Sequence, residues 1–146
     1  MIEQDLYFWL THSAALVNLV GQSVFPVKLP EGRGDGVYPA VTFQKIAGYT
    51  PLNLDGPAGP ARATFQVDCW SVVSEFEATD VAHALTQPNS QGGLHGFRGT
   101  MMPGGALVQK AAVDPGSERS EYSPPLHSDD IGLHRVGFDL VIVYEI

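Results

Sequence analysis

The hydrophobic and polar positions of this chain change period several times, and each period predicts a different element. One helical stripe of apolar residues runs through the N-terminal segment: Ile2, Leu6, Leu10, Ala14, Val17 and Val20. This spacing predicts helix over residues 2–20. Ser13 suits an N-cap and Gly21 stands where a helix ends, so two short helices are expected there.

Alternation with a period of two predicts four strands, at 37–49, 62–73, 106–113 and 131–146. In the second strand, Ala63, Phe65, Val67 and Cys69 point inward, and Thr64, Gln66, Asp68 and Trp70 point outward. The last strand has the strongest pattern, with one apolar face: Val136, Phe138, Leu140, Ile142 and Tyr144. Residues 24–27 form a short extended piece that Pro26 confines to a sheet edge.

Turn-rich segments connect these elements. Residues 50–61 are rich in Gly and Pro, so the strands that flank them should form a long hairpin with an irregular tip. Residues 74–86 begin with a capping box, Ser74 and Glu77, and form a helix. Its sheet-facing side is predicted to be Phe76, Val81, Ala84 and Leu85, and Pro88 should end it. Residues 28–36, 87–105 and 114–130 are predicted loops.

Together these elements predict one α+β domain over residues 1–146. The expected architecture is a mainly antiparallel or mixed sheet of about four strands, with a long hairpin, packed against two or three helices. The chain is 44% hydrophobic and 16% charged, with mean hydropathy +0.00. This composition suffices for a folded core without disulfides and argues against disorder.

The charge balance limits the partners. Eight Lys and Arg residues against sixteen Asp and Glu residues give a net charge of −8. An acidic surface disfavours tight binding of nucleic acid, but it suits a protein past which DNA slides without adhering. No apolar run is long enough for a transmembrane helix, and the acidic N-terminal segment is unlike a signal peptide.

Motifs for chemistry are sparse. The single cysteine, Cys69, excludes an intrachain disulfide and a Cys-rich zinc site, and its apolar neighbours predict burial. No G-x-S-x-G elbow occurs, and the glycine clusters do not stand at a strand-to-helix turn. Asp129, Asp130 and His134 favour a capped turn and a partly buried histidine over a metal site. The sequence therefore predicts no catalytic residue, cofactor or metal, and a protein that is not an enzyme.

The outward face of the strand at 62–73 and the long loops are the best candidates for an interface. Trp70 is a possible interface anchor, although the helix at 74–86 could instead cover it. Met101 and Met102 could contact a partner or fill a gap in the core. The candidate interface residues are Asp55, Arg62, Gln66, Asp68, Trp70, Arg98, Met101 and Met102.

The order of several motifs gives the chain a family resemblance. ALVNLVG is followed by VFPVKLPEG, YPAVTFQKIAG and LDGPAGPARATFQVDCW, then by a helix, GFRG and a closing GLHRVGFDLVIVYE. This order resembles the siphophage tail-completion family of the tail terminator type, the lambda-type minor tail protein, over nearly the whole chain. None of the motifs is catalytic. Residues 87–95 before GFRG are longer than the family pattern requires.

The resemblance implies a small subunit that forms a ring, a hexamer, at the head-proximal end of the virion tail. Such a ring ends polymerisation of the tail tube and joins the tail to the head connector. Its implied partners are copies of itself, the major tail tube protein and the connector or neck proteins. DNA would pass through the channel without specific binding, no membrane would be involved, and assembly would take place in the host cytoplasm.

Two other functions stay open at this point. A connector component on the head side of the neck would share the size, the acidity and the ring. A small enzyme or ligand-binding domain would need a concave pocket with convergent ionisable groups, and the sequence shows no such cluster.

Overall fold

The computed structural model describes residues 2–27, 38–49, 52–53, 56–57, 60–114, 116–123 and 132–145. The helices in this part of the chain are α1 (Ile2–His12), α2 (Ala14–Val20) and α3 (Glu75–Thr86), with a 3₁₀ turn at Asn89–Gln91. The strands are β1 (Val24–Pro26), β2 (Ala40–Tyr49), β3 (Leu52–Asn53), β4 (Gly56–Pro57), β5 (Ala61–Ser71), β6 (Gly99–Met101), β7 (Ala106–Val113), β8 (Arg119–Ser123) and β9 (Leu133–Glu145).

Seven of these strands form one mixed sheet, in which six follow the order β1-β2-β5-β9-β7-β6. The seventh, β8, pairs with residues 133–137 of β9, and β7 pairs with residues 140–145. The β1–β2 pair is parallel and the other pairs are antiparallel. β3 and β4 pair with each other between β2 and β5. The predicted α+β class and the long β2–β5 hairpin are confirmed, whereas the expected number of about four strands is too low.

The hydrophobic core lies between one face of this sheet and the three helices. Alternation in β5 and β9 is as predicted, because Phe65, Val67, Phe138 and Leu140 are all fully buried. α1 contributes its predicted stripe, and α3 packs against both central strands through Ala78, Val81, Ala82 and Leu85. Each central strand thus has one apolar face under helices and one face without a helix.

The ends of the helices agree well with the sequence pattern. Ser13 separates α1 from α2 with extended backbone, without a capping side-chain bond, and Gly21 ends α2 at a φ of 60°. At α3, Ser74 Oγ accepts from the Glu77 N–H at 3.2 Å, as the capping box predicts. The Glu77 carboxylate, however, accepts from Ser71 Oγ at 2.8 Å. Ser71 Oγ in turn accepts from the Ser74 N–H at 3.3 Å.

The prediction that Phe76 faces the sheet is wrong. Its side chain is 80% exposed, because the buried stripe of α3 starts at Ala78 and continues at three- and four-residue intervals. Phe76 lies two residues before that stripe and therefore points to another side of the helix. Ala84, also predicted to face the sheet, is half-buried, whereas Val81 and Leu85 are in the core as expected.

Two strands were missed in segments that were predicted to be loops. β6 lies within 87–105, and β8 lies within 114–130. Both are short, and all five residues of β8 are exposed, so neither carries the apolar alternation that identifies a half-buried strand. The hairpin tip was predicted to be irregular, but it contains one further strand pair, β3 with β4. The predicted loop at 28–36 lies outside the described residues.

Asp5 is a buried carboxylate that ties α1 to the turn between β6 and β7. Its side chain is fully inaccessible. Asp5 Oδ1 accepts from the Gly104 N–H at 2.6 Å, and Oδ2 accepts from the Ala106 N–H at 3.0 Å. Buried donors of this kind are costly to leave unpaired. Asp5 is therefore a structural residue that holds the β6–β7 turn against the first helix.

Replacement of Asp5 by Ala should lower the free energy of unfolding by about 2–4 kcal/mol, because two amide donors lose a charged acceptor. Urea denaturation followed by far-UV circular dichroism measures the change. Gln4→Ala on the exposed side of the same helix is the matched control and should stay within about 0.5 kcal/mol of the parent chain. Equal stabilities for the two variants would contradict the structural role of Asp5.

Cys69 should be unreactive in the folded protein. Burial raises the pKa of its thiol well above the ordinary range, and the nearby carboxylates of Asp68 and Glu118 raise it further. Ellman's reagent at pH 8 should label the thiol only after unfolding, since the thiolate is the reacting form. Above about pH 8.5 the unfolded thiol ionises while the folded one does not. Ionisation of Cys69 in the unfolded chain should therefore lower the free energy of unfolding as the pH rises. Rapid labelling of the native protein would contradict the burial of this thiol.

Candidate interaction site

Four of the predicted interface residues share the helix-free face of β5: Arg62, Gln66, Asp68 and Trp70. Gln66, Asp68 and Trp70 alternate with the buried residues of that strand. The register places them beside β2 on one side and β9 on the other. Because α3 packs on the opposite face, it does not cover Trp70, and that alternative is wrong. Residues of the neighbouring strands cover the indole instead.

Trp70 is held by contacts to both neighbouring strands. Its indole Nε1 donates to Thr42 Oγ1 on β2 at 2.9 Å. The guanidinium of Arg135 on β9 lies over the ring, with Cζ 5.6 Å from the ring centroid. This distance is within the range of a cation–π interaction. The indole is therefore fixed in orientation and half-buried, with part of its surface left for a partner.

Arg135 connects this aromatic residue to two carboxylates. It forms an ion pair with Glu121 on β8, and its Nε lies 4.0 Å from Asp68 Oδ1. Gln66 Nε2 donates to the other oxygen, Asp68 Oδ2, at 3.0 Å. Asp68 is only 8% exposed. These residues form a polar cluster, here called the Arg135 cluster, that spans four strands: Thr42, Gln66, Asp68, Trp70, Glu121 and Arg135.

Gly137 makes room for this cluster. It pairs directly with Asp68 across the β5–β9 ladder, and a Cβ at this position would collide with Asp68 Oδ1. Within the described residues, Asp68 Oδ1 accepts no hydrogen bond, and neither does Asp139 Oδ1 on the same face. Both oxygens have an arginine nearby, since Arg119 lies 3.5 Å from Asp139 Oδ1. The cluster is thus held together by ionic contacts as well as by hydrogen bonds.

The other candidates are not part of the Arg135 cluster. Arg62 is exposed on β5, near the hairpin end of the same face. Arg98 is exposed just before β6, and Met102 just after it is 55% exposed. Met101 is 2% exposed and belongs to the core, so it is not an interface residue. Asp55 lies outside the described residues.

Two apolar clefts flank Phe8 on the outer side of α1. One, of about 420 Å³, lies between α1, α2 and β6 and contains Trp9, Phe97 and Met102 in its walls. The other, of about 430 Å³, lies between α1 and β1, against Tyr7 and Pro26. His12 is the one titratable side chain among the described residues that line the first cleft. Its Nδ1 donates to the Phe8 carbonyl oxygen at 2.8 Å.

The clefts and the Arg135 cluster differ in their chemistry. The clefts are lined mainly by hydrocarbon, and the Arg135 cluster holds its charges in mutual contact. Among the residues that the structure describes, no group of three or more His, Cys, Asp or Glu side chains could hold a metal ion. None of the described helices has the length and apolarity needed to cross a membrane.

Sequence reasoning missed three members of the Arg135 cluster: Thr42, Glu121 and Arg135 itself. The outward position of Arg135 follows from alternation in β9, but its neighbours depend on strand register. Glu121 could not have been placed, because β8 has no recognisable strand pattern. His134, expected to be partly buried, is half-buried with its ring centroid 4.7 Å from that of Tyr122. Asp129 and Asp130 lie outside the described residues.

Comparison with known proteins finds similarity among solved structures. No protein-family model and no curated protein sequence matches the chain. Among solved structures, the chain is similar to a protein described as part of the virion of a native gene transfer agent particle. The TM-score is 0.59 and the sequence identity 16%, over 97% of this chain and 92% of that chain. At this identity the likeness establishes a shared fold over most of both chains.

Arg135 and Asp68 should be energetically coupled. Arg135→Met should destabilise the protein by about 1–3 kcal/mol, because the largely buried Asp68 carboxylate loses its cationic neighbour. Asp68→Ala in the same background should recover part of this loss. Chemical denaturation of the two single variants and the double variant gives the coupling energy. Arg62→Met is the control on the same face, and additive effects of the two substitutions would contradict the contact.

Proposed function

We propose that this protein is a structural subunit of a phage-type virion and acts as a tail terminator. In this proposal, its subunits form a hexameric ring at the head-proximal end of the tail tube. The ring stops further addition of tube subunits and provides the surface to which the head connector binds. The role is one of assembly and needs no catalytic group, metal or cofactor.

The observation that carries the proposal is the shared fold with a gene transfer agent virion protein over nearly the full length of both chains. The family resemblance of the sequence motifs, in the same order along the chain, supports the more specific role of tail terminator. Neither argument depends on the other, since the sequence identity to that virion protein is only 16%.

The surfaces of the subunit support a role in protein assembly. A ring subunit needs separate patches for its two ring neighbours and for the proteins above and below it. The helix-free face, the apolar clefts beside α1 and the sheet edges are distinct surfaces on different sides of the fold. The net charge of −8 suits a ring through which DNA passes, since like charges do not adhere.

The proposal predicts a specific defect in particles made without this protein. Tails should be overlong or ragged and detached from filled heads, because nothing stops tube growth or completes the joint. Negative-stain electron microscopy, with tail lengths measured in each sample, tests this expectation. Expression of the intact chain from a plasmid should restore a single tail length and is the control for indirect effects of the deletion.

Two outcomes would overturn this role. Tails of normal length beside empty heads would assign the protein to the neck, on the head side of the joint. Normal particles would show that the protein is not required for virion assembly. Labelling of the protein in complete particles would then locate it and separate these cases.

A further inference from the structure

One edge of the sheet has a long stretch without a strand partner. β1 pairs with β2 only along Val41–Phe43, whereas β2 continues to Tyr49. All residues from 44 to 49 are exposed, and Tyr49 is 67% exposed. No other described strand pairs with this side of β2. Such a row of unpaired backbone groups is a template for pairing with another strand.

The opposite side of the sheet has a second edge of this kind. β8 pairs with β9 on one side and with no other described strand. By contrast, the edge of β7 is covered, since the Gly96 N–H donates to the Ala111 carbonyl oxygen at 2.7 Å. The Val113 N–H also donates to His95 Nδ1, at 3.2 Å. Within the described residues, β8 and the outer half of β2 are therefore edges without a strand or loop across them, and they are of similar length, five and six residues.

The strand directions allow these two edges to pair between copies. β2 runs antiparallel to β5, β5 to β9, and β9 to β8, so β2 and β8 run in opposite directions. A rotation about an axis inclined to the strands keeps the sense in which each strand runs along that axis. It would therefore place β8 of one copy antiparallel to β2 of the next. This is a head-to-tail contact between two different patches, the kind that a ring requires.

The two edges are also staggered along the strand axis. The register places residues 44–49 of β2 level with residues 139–143 of β9, and β8 level with residues 133–137 of β9, a shift of six residues. Six residues of strand are about 20 Å, and four inter-strand spacings are about 19 Å. The resulting tilt of about 45° agrees with the strand tilt that closed sheets require, roughly 35–45°.

We propose that the ring closes by pairing of the free edge of β2 in one subunit with the free edge of β8 in the next. The sheets of all subunits then form one continuous closed sheet, with four strands from each subunit across the joint. This inference rests on the proposed function, because it takes the partner to be a second copy of this chain. It adds which strands meet, their antiparallel direction and their stagger.

Backbone geometry identifies the donors that would cross the joint. The Phe43 carbonyl oxygen faces β1, where it accepts from the Val27 N–H at 2.8 Å. Two residues further, before the bulge in β2, the Lys45 N–H faces the same way. In β9, Asp139 faces β7 and β8, since its carbonyl oxygen accepts from the Asp114 N–H. Gly137, two residues before Asp139, therefore also faces β8, and its partner Arg119 faces β9. Because successive residues alternate, the N–H of Ser120 faces away from β9.

Proline substitution at these two positions removes a donor at the joint and leaves the pairs within the sheet intact. Lys45→Pro and Ser120→Pro should each weaken assembly by at least about tenfold, since each joint loses a hydrogen bond and meets a proline ring. Lys45→Ala and Ser120→Ala keep the donor and are the matched controls. Sedimentation velocity over a concentration series measures assembly. Hydrogen exchange of peptides that cover β2 and β8 should slow as the subunits assemble.

Cross-linking provides a second test that does not depend on proline tolerance. Gln44 and Ser123 are exposed and lie near the facing ends of the two edges in an antiparallel joint. Chains with Gln44→Cys, mixed with chains with Ser123→Cys, should be linked by a short bismaleimide. Neither chain should be linked when it is alone. The native Cys69 is buried and should not contribute.

Each result supports or overturns the proposal. Proline variants that assemble as well as their alanine controls, without cross-links in the mixture, would show that rings close through other surfaces. The terminator role would survive that result. Cross-links within either single variant would establish two-fold pairing and refute a head-to-tail joint. A chain that stays monomeric, with exchange at both edges independent of concentration, would also refute the joint, and the tail-length experiment would then decide the function separately.

Discussion

The antiparallel pairing of β5 with β9 is the constraint on which the rest of the structure depends. It runs without a shift for eleven residue pairs, from Ala61 with Tyr144 to Ser71 with His134. Because side chains alternate along both strands, this register fixes one continuous apolar face and one polar face. The helices cover the apolar face, and a slip by one residue would expose the whole core. Each other element is placed relative to this pair.

The same register explains the polar face. Asp68 lies opposite Gly137, and Trp70 lies opposite Arg135, so a carboxylate, an indole and a guanidinium come into contact without any helix to cover them. Partly buried charges are stable only when they have such partners. The cluster therefore gives the helix-free face a defined shape and charge pattern before any partner binds. A fixed surface of this kind loses little conformational entropy on assembly.

The sheet edges are where the fold is open to other chains. Natural sheets protect their edges by short strands, proline or covering loops, and three of these devices are present. β1 is short and contains Pro26, β6 has three residues, and the segment around His95 covers β7. The outer half of β2 and β8 have none of these three within the described residues, although β2 carries Lys45 and a bulge between Lys45 and Ala47, and β8 carries two charged residues. This contrast supports the proposed function in assembly, since an edge without a covering strand or loop can pair with a strand of another chain.

The sequence by itself determined the elements whose patterns are local. The two N-terminal helices, the capped start of α3, the β2–β5 hairpin and the alternation of β9 all depend on residues close together in the chain, so periodicity and capping identify them. Burial of Cys69 and outward placement of Asp68 and Trp70 followed from the same alternation. Tertiary structure decided the rest. β8 is a strand only because β9 offers it a partner, Phe76 is exposed because the helix stripe begins at Ala78, and Arg135 meets Trp70 only through inter-strand register. These features depend on pairing between segments far apart in sequence, and a single chain carries no local signal for such pairing.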